Sequence, residues 1–213
     1  MVATARPVTA DLERAGWKVL AFPGIAETEF VGRPDGIIEV RAMDSSALLY
    51  REVPPTERQN QLLSWRWRVD QTMPPTDLGL KGSDDRPLAL HVWFPADPDR
   101  TSWWQRLSRV ALDLAIDAPV TGKWLTCVRG GIGGRGDGMV NPYSGPDGVI
   151  YVLRSGDAPT GRWFSETIDI AADFERAFGY PAPAPIYIAI SADADDTEGS
   201  SVALIADIRF TSG

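Results

Sequence analysis

Two segments of alternating apolar residues, 62–69 and 88–94, carry polar or aromatic side chains on the face opposite their apolar residues. These side chains are Arg66, Arg68, His91 and Trp93. An aromatic ring beside fixed charged donors suits sugar recognition, because the ring stacks on the C–H face of a sugar while the donors bind its hydroxyls. If the two segments are neighbouring strands, the four side chains form one ligand surface. The alternative is a solvated outer face on which arginine stacks on tryptophan.

A lysine and two adjacent carboxylates precede the second of these segments. Lys81, Asp84 and Asp85 lie in a stretch rich in proline and glycine, which predicts a loop. Paired carboxylates beside a lysine can bind hydroxyl groups or act as general acid and base. We therefore count the three residues as candidate ligand-binding residues, with a salt-bridged turn as the alternative.

An acidic connection separates the last two strand-like segments of the chain. It carries Asp193, Asp195, Asp196 and Glu198. Carboxylate oxygens suit a hard cation such as calcium, although the spacing lacks the central glycine and the distant glutamate of an EF-hand loop. Asp193 and Asp195 are the predicted ligands, and a solvated loop is the alternative.

Residue types exclude several kinds of catalytic site. The glycine-rich stretch Gly131–Gly136 lacks the strand–turn–helix context of a dinucleotide loop, and no Gly-Lys-Ser/Thr follows it. One histidine and one cysteine rule out an internal disulfide and a zinc site built from several cysteines. Cys127 sits among apolar neighbours, which favours a buried thiol over a nucleophile, and serine or cysteine catalysis would have to use His91.

Composition and charge narrow the class of protein and of partner. A chain of 213 residues with 44% apolar residues can bury the core of one large domain, so we expect a single domain over 1–213. The net charge of −8 argues against nucleic acid or an anionic membrane surface as the main partner. No apolar run reaches the length of a membrane span.

Period-two alternation of apolar residues predicts an all-β fold of many short strands. The predicted strands are Trp17–Phe22, Ile37–Ala42, Ala47–Val53, Leu62–Val69, Leu88–Phe94, Lys123–Arg129, Val149–Leu153, Arg162–Ile168, Ile186–Ile190 and Val202–Phe210. The last two are expected to be antiparallel neighbours joined by the acidic connection. The expected core residues are Trp65, Trp67, Leu90, Val92, Ile188, Ile190, Leu204 and Ile208.

One or two short helices complete the predicted sandwich. Asp169 is a good N-cap, and Gly179 followed by three alternating prolines ends the helix that starts there. The apolar spacing within 102–114 predicts a second helix, with a distorted entry into a strand as the alternative, whereas 130–148 is expected to be irregular. Residues 1–15 are expected to be a flexible lead-in.

Three groups of residues carry a resemblance to a bacterial family known as DUF3047, a domain of unknown function. From Trp163 to Gly179 the chain reads W-x-x-E-x-I-D-I-x-x-D-F-x-x-x-F-G, and I-x-I-S-x-D-x-D-x-T and D-I-x-F follow. Leu63-x-Trp65-x-Trp67-x-Val69 and Lys81-x-x-Asp84-Asp85 resemble its earlier motifs. The chain departs from the pattern at Asp196, where asparagine is expected, and in a long, glycine-rich region from Trp103 to Gly145.

The resemblance implies an antiparallel β-sandwich of jelly-roll or galactose-binding-like type and brings no catalytic residue. Sugar binders of this type often hold a structural calcium ion near the last strand, which makes Asp207 the expected third metal ligand.

We therefore predict non-catalytic binding of a carbohydrate or similar polyhydroxylated ligand, with calcium as the one cofactor the sequence suggests. The alternatives are a glycan-active enzyme that uses acidic residues with Lys81, and a structural or protein-interaction module. The resemblance favours a periplasmic or extracellular protein whose leader has been trimmed, and a cytoplasmic protein is also compatible with the sequence. Oligomeric state is not predicted.

Overall fold

The fold is a sandwich of two β-sheets, in a computed structural model that describes residues 8–97 and 122–212. Seven strands form one sheet, in the spatial order β1 (Lys18–Ala21), β4 (Ser46–Glu52), β11 (Tyr187–Asp193), β6 (Arg86–Phe94), β7 (Lys123–Arg129), β9 (Gly145–Arg154) and β8 (Gly138–Asn141). Five strands form the other, in the order β10 (Phe164–Asp169), β5 (Leu62–Gln71), β12 (Ser200–Thr211), β3 (Ile38–Met43) and β2 (Glu29–Gly32). Neighbours are antiparallel except β7 and β9, which run parallel. The predicted jelly-roll-type β-sandwich is confirmed.

The core lies between the sheets and is made by alternate residues of their strands. In β5 the inward residues are Leu63, Trp65, Trp67 and Val69, all buried. In β6 they are Leu88, Leu90, Val92 and Phe94, also buried. Period-two alternation thus placed the inner faces of these central strands correctly.

The two last strands are not neighbours, so the predicted pairing of β11 with β12 is wrong. β11 pairs with β4 and β6 in the seven-stranded sheet, whereas β12 pairs with β3 and β5 in the other. The acidic connection therefore crosses from one sheet to the other. Alternation identifies a strand with one buried face, but it carries no information about which strand lies beside it.

A bulge in β12 changes which residues face the core. Ala203 and Ile205 are buried inside, while Leu204, predicted to be core, is only half buried on the other face. At Asp207 the backbone adopts φ +57°, and the register with β5 shifts between Ala206 and Arg209. The extra residue restores the inward direction for Ile208 and Phe210, which pack against the core.

In the ranges 8–97 and 122–212, two short α-helices cover parts of the sandwich. The second, α2 (Ile170–Phe178), has the predicted N-cap: one carboxylate oxygen of Asp169 accepts hydrogen bonds from the backbone N–H groups of Ala171 and Ala172 at 3.0 and 2.9 Å. Gly179 closes it in the left-handed conformation, with φ +77°.

The first helix, α1 (Ala10–Arg14), lies in the stretch expected to be a flexible lead-in. Its Leu12 and the preceding Val8 are buried in the main core. The helix predicted within 102–114 lies outside the described residues. Strand β8 falls in a stretch read as irregular, because four residues with a glycine among them give almost no periodic signal. Within the described residues, no helix has the length and apolar character needed to cross a membrane.

Candidate functional site

The four-residue surface predicted from the two alternating segments does not exist. Arg66 and Arg68 belong to β5 of the five-stranded sheet, and His91 and Trp93 belong to β6, at the centre of the other sheet. Both pairs point away from the core, so they lie on opposite outer faces of the sandwich. Trp93 is not an exposed ring either: only 4% of it is accessible, and it packs against Tyr50 and Trp124 at centroid distances of 5.8 and 5.1 Å.

His91 is a buried cross-strand connector. Its Nδ1 lies 3.0 Å from Thr126 Oγ1 and its Nε2 lies 2.9 Å from Ser191 Oγ, so both ring nitrogens have a hydroxyl partner. Burial, with a smaller contribution from the nearby positive charge of Arg86, lowers the pKa of His91 to about 3. The imidazole is therefore neutral at pH 7 and ties three strands together.

Arg66 and Arg68 do contact a tryptophan, but it is Trp163 and not the predicted Trp93. Trp163, just before β10, has the Arg66 and Arg68 guanidinium carbons at 4.7 and 5.5 Å from its ring centroid. Strand β10 pairs with β5, with Ser165 opposite Arg66, which brings Trp163 over the outer face of the five-stranded sheet. We call Trp163, Arg66 and Arg68 the Trp163 platform.

Carboxylates hold both arginines of the Trp163 platform. Arg66 Nε lies 2.5 Å from Asp207 Oδ2, and Arg68 Nη2 donates to Asp70 Oδ2 at 2.7 Å. The two arginine side chains remain 39% and 31% exposed, and Trp163 is half buried. The bulge that points Asp207 towards Arg66 also removes it from the acidic connection, so the prediction of Asp207 as a ligand beside Asp193 and Asp195 is wrong.

The other side of β10 carries a second group of arginines. Glu166, 2% exposed, accepts from Arg154 Nε and Arg135 Nη1 at 2.7 Å each and from Trp67 Nε1 at 3.2 Å. The ring of Phe164, two residues before it, is faced by the guanidinium of Arg154 at 4.6 Å. Three hydrogen bonds, two of them from arginine, compensate the burial of this carboxylate.

The acidic residues around the start of β6 form a separate group, the acidic cluster, comprising Asp84, Asp85, Asp193 and Asp195. One carboxylate oxygen from each of Asp85, Asp193 and Asp195 lies within 4.8 Å of the other two. Asp85 also anchors the connection between the sheets, because it accepts from the backbone N–H groups of Asp196 and Thr197 at 3.2 and 2.9 Å. Predicted site residues from two distant stretches of the chain, Asp84 and Asp85 in one and Asp193 and Asp195 in the other, thus meet here.

Arg86 joins two members of the acidic cluster. Its Nη1 donates to Asp84 Oδ2 at 3.0 Å, and its Nη2 lies 3.2 Å from Asp193 Oδ2. Burial raises the pKa of Asp84 to about 6, with Arg86 opposing the shift and Asp193 adding to it. The hydrogen bond to the Asp193 side chain, together with burial, raises the pKa of Asp195 to about 7. Asp84 and Asp195 therefore hold their negative charge less readily than ordinary aspartates.

Lys81 lies at the rim of this cluster. Its Nζ is 5.2 Å from the ring centroid of Tyr143, whose hydroxyl lies 3.5 Å from Asp196 Oδ2 and accepts from the Gly82 N–H at 3.2 Å. The lysine is thus associated with an aromatic ring, and the salt-bridged turn weighed for Lys81, Asp84 and Asp85 involves Arg86 as the cation.

Cys127 is a buried thiol, as predicted. It lies in β7 facing the core, and burial raises its pKa to about 12. A thiol in this state is a poor nucleophile.

Comparisons with known proteins identify a family and two folds of similar outline. The family model described as "Protein of unknown function (DUF3047)" matches residues 15–209. The xyloglucanase domain of NopAA, a type three effector from Sinorhizobium fredii solved with cellobiose, is 12% identical with a TM-score of 0.47, covering 94% of this chain and 95% of that one. A loop-swap mutant of Xyn11A from Necallimastix patriciarum is 9% identical with a TM-score of 0.37, covering 92% and 100%. No protein with a curated description matches the sequence.

Proposed function

The chain belongs to the DUF3047 family, and we propose that it binds a carbohydrate or similar polyhydroxylated ligand on the Trp163 platform without chemical turnover. The observation that carries this proposal is the arrangement of Trp163, a half-buried ring beside two partly exposed arginines, each paired with a carboxylate.

The ring offers a preorganised stacking surface. Trp163 is in contact with guanidinium groups at 4.7 and 5.5 Å, and these contacts restrict its orientation before any ligand arrives. Because the side chain is only half buried, part of the ring meets solvent. A sugar presents apolar C–H groups on its faces, and covering aromatic surface with them is favourable in water.

The arginine–carboxylate pairs suit hydroxyl groups. A hydroxyl both donates and accepts, so Arg66 with Asp207, or Arg68 with Asp70, can satisfy both functions of one hydroxyl. Hydrogen bonds to charged partners are stronger than those between neutral groups.

The charges around the Trp163 platform are mostly paired within the chain. Arg66, Arg68 and Arg209 meet Asp207 and Asp70, so these five groups carry a formal charge of +1 (three minus two). A neutral oligosaccharide meets no long-range repulsion from a protein with a net charge of −8.

The aromatic cluster on the outer face of the seven-stranded sheet is the competing surface. It contains Trp93, Tyr50 and Trp124, but Trp93 and Tyr50 are buried and their rings pack on one another. A ligand could stack on Trp93 or Tyr50 only by displacing these contacts, whereas Trp124 is half buried, as Trp163 is, and is the ring that a ligand could reach on this face.

A glycan array of neutral and uronate-bearing oligosaccharides, followed by calorimetric titration of the best ligand, tests the proposal. Trp163→Ala should weaken binding by about tenfold or more, the scale of one lost aromatic contact. Trp124→Ala is the matched control, because Trp124 is also half buried but lies on the other sheet. Its affinity should stay within about twofold of wild type.

Three results would overturn the proposal. Binding that is lost in Trp124→Ala and kept in Trp163→Ala would move the site to the aromatic cluster. Release of reducing ends by the wild type, abolished by Asp85→Ala, would establish the glycan-active enzyme. Absence of binding to every glycan would leave the structural or protein-interaction module.

A further inference from the structure

Three carboxylates of the acidic cluster lie at the separation expected of ligands around one cation. Asp85 precedes β6, Asp193 ends β11 and Asp195 lies in the connection beyond it, and their nearest oxygens lie within 4.8 Å of one another. Calcium binds oxygen at 2.3–2.6 Å, so two of its ligand oxygens can be at most about 5 Å apart. The separations are compatible with one ion bound by all three carboxylates.

A buried oxygen without a partner adjoins these three carboxylates and is independent of their spacing. Asp84 is 2% exposed, and among the described residues no donor lies within hydrogen-bond reach of its Oδ1. Its other oxygen and Asp193 Oδ2 are bound by the same guanidinium, that of Arg86, which places the Asp84 carboxylate beside that of Asp193. An unpaired buried carboxylate oxygen is costly, and a cation beside it removes that cost.

The net negative charge of the acidic cluster also favours a bound cation. Arg86 pairs with Asp84 and Asp193, and Asp85, Asp195 and Asp196 lie close by, so these groups carry a formal charge of −4 (five minus one) when all are ionised. A divalent ion reduces this charge to −2. Asp85 is already oriented by hydrogen bonds from Asp196 and Thr197, which is how outer partners fix a metal-binding carboxylate.

We propose that Asp85, Asp193 and Asp195, with Asp84 beside them, hold one calcium ion that joins the start of β6 to the connection between the sheets. The donors are all carboxylate oxygens, which hard cations prefer. Calcium accepts variable geometry and several further water ligands, whereas magnesium demands a near-ideal octahedron at shorter distances. This site is separate from the Trp163 platform, so either proposal can fail alone.

The test uses the full chain, stripped with a chelator and dialysed. Calorimetric titration with calcium chloride should show one site, and magnesium chloride should bind at least about tenfold more weakly. At a calcium concentration one hundred times the Kd, the Tm should rise by about 5 °C. A wild-type protein with neither calcium heat nor a Tm shift overturns the proposal.

Matched variants locate the ion. Asp195→Asn should abolish the Tm shift, whereas Asp207→Asn, at the β12 bulge, should keep it. Calcium binding that survives Asp195→Asn, or that disappears in Asp207→Asn, overturns the assignment. If Asp195→Asn does not fold, Asp84→Asn serves in its place: it should lower calcium affinity by about tenfold, and an unchanged affinity overturns the site.

Discussion

Glu166 and Asp84 are both buried carboxylates, yet their surroundings differ sharply. Glu166 accepts from Arg135, Arg154 and Trp67, which together use both of its oxygens. Asp84 shares the single guanidinium of Arg86 with Asp193, and one of its oxygens has no donor among the described residues. The hydrogen bonding of the Glu166 carboxylate is complete within the described residues, whereas that of the Asp84 carboxylate is not.

The difference separates a structural role from a binding role. Burying a carboxylate is costly, and the cost is offset only when its oxygens are fully hydrogen bonded. Glu166 meets this condition and fixes the edge strand β10 to the core through Trp67. Asp84 does not, because its Oδ1 has no donor among the described residues, and this is the physical basis for expecting a cation there.

Removal of Glu166 should give the largest loss of stability. Glu166→Ala leaves Arg154 and Arg135 without their carboxylate and Trp67 Nε1 without its acceptor, and should lower the free energy of unfolding by about 3 kcal/mol. Urea denaturation measures this change. Glu52→Ala is the control, because Glu52 is an exposed partner of Arg58 and should cost less than about 1 kcal/mol. Equal losses in the two variants would contradict the structural role of Glu166.

Acid should destabilise the protein through His91. Like Glu166, His91 is buried and has partners for all its polar side-chain atoms. Its pKa is about 3 when folded and about 6.5 when unfolded, so below pH 6.5 the unfolded chain binds more protons. The stabilisation is therefore complete above pH 6.5 and is lost as the pH falls towards 3. From pH 7 to pH 5 this loss amounts to about 2 kcal/mol.

Chemical denaturation of wild type and His91→Gln at the two pH values isolates this contribution. Glutamine can keep hydrogen bonds to the Thr126 and Ser191 hydroxyls but does not titrate. The variant should lack the loss assigned to His91. The same loss in both proteins would mean that other groups cause the acid sensitivity.

Neutralising Asp84 should have the smallest effect, although Asp84 is as buried as Glu166. In calcium-free protein, Asp84→Asn removes a poorly compensated charge and retains an oxygen for Arg86, so the free energy of unfolding should change by less than about 1 kcal/mol. Urea denaturation in the presence of a chelator checks this. A loss as large as that of Glu166→Ala would show that Asp84 is fully compensated and would remove the contrast between the two carboxylates.

The predictions that succeeded rest on signals that act within a few residues. Asp169 caps α2 through the N–H groups two and three residues ahead, and Gly179 ends it by its own backbone conformation. The alternation of Trp65, Trp67, Leu90 and Val92 likewise reflects which face of each strand is buried, and this is visible in one segment alone.

The errors have two causes, the lateral order of the strands and a bulge. Period-two patterns identify 62–69 and 88–94 correctly as strands, but nothing in either segment shows that β5 and β6 belong to different sheets. The sequence therefore pairs Arg66 and Arg68 with Trp93, whereas the structure pairs them with Trp163. The β12 bulge was equally invisible, because a left-handed aspartate at 207 leaves no clear local signal, and it misplaced both Leu204 and Asp207.

The amino-acid sequence predicts the all-β class, the positions of most strands, the cap and end of α2, and the buried state of Cys127, because short-range geometry and the burial of one face govern all of these. Which side chains come into contact is visible only in the folded protein. Folding places Trp163 over Arg66 and Arg68, and it brings Asp85 to Asp193 and Asp195 across more than one hundred residues of chain. These contacts depend on the order of the strands in each sheet and on one bulge. Both result from packing the whole core and not from any single segment.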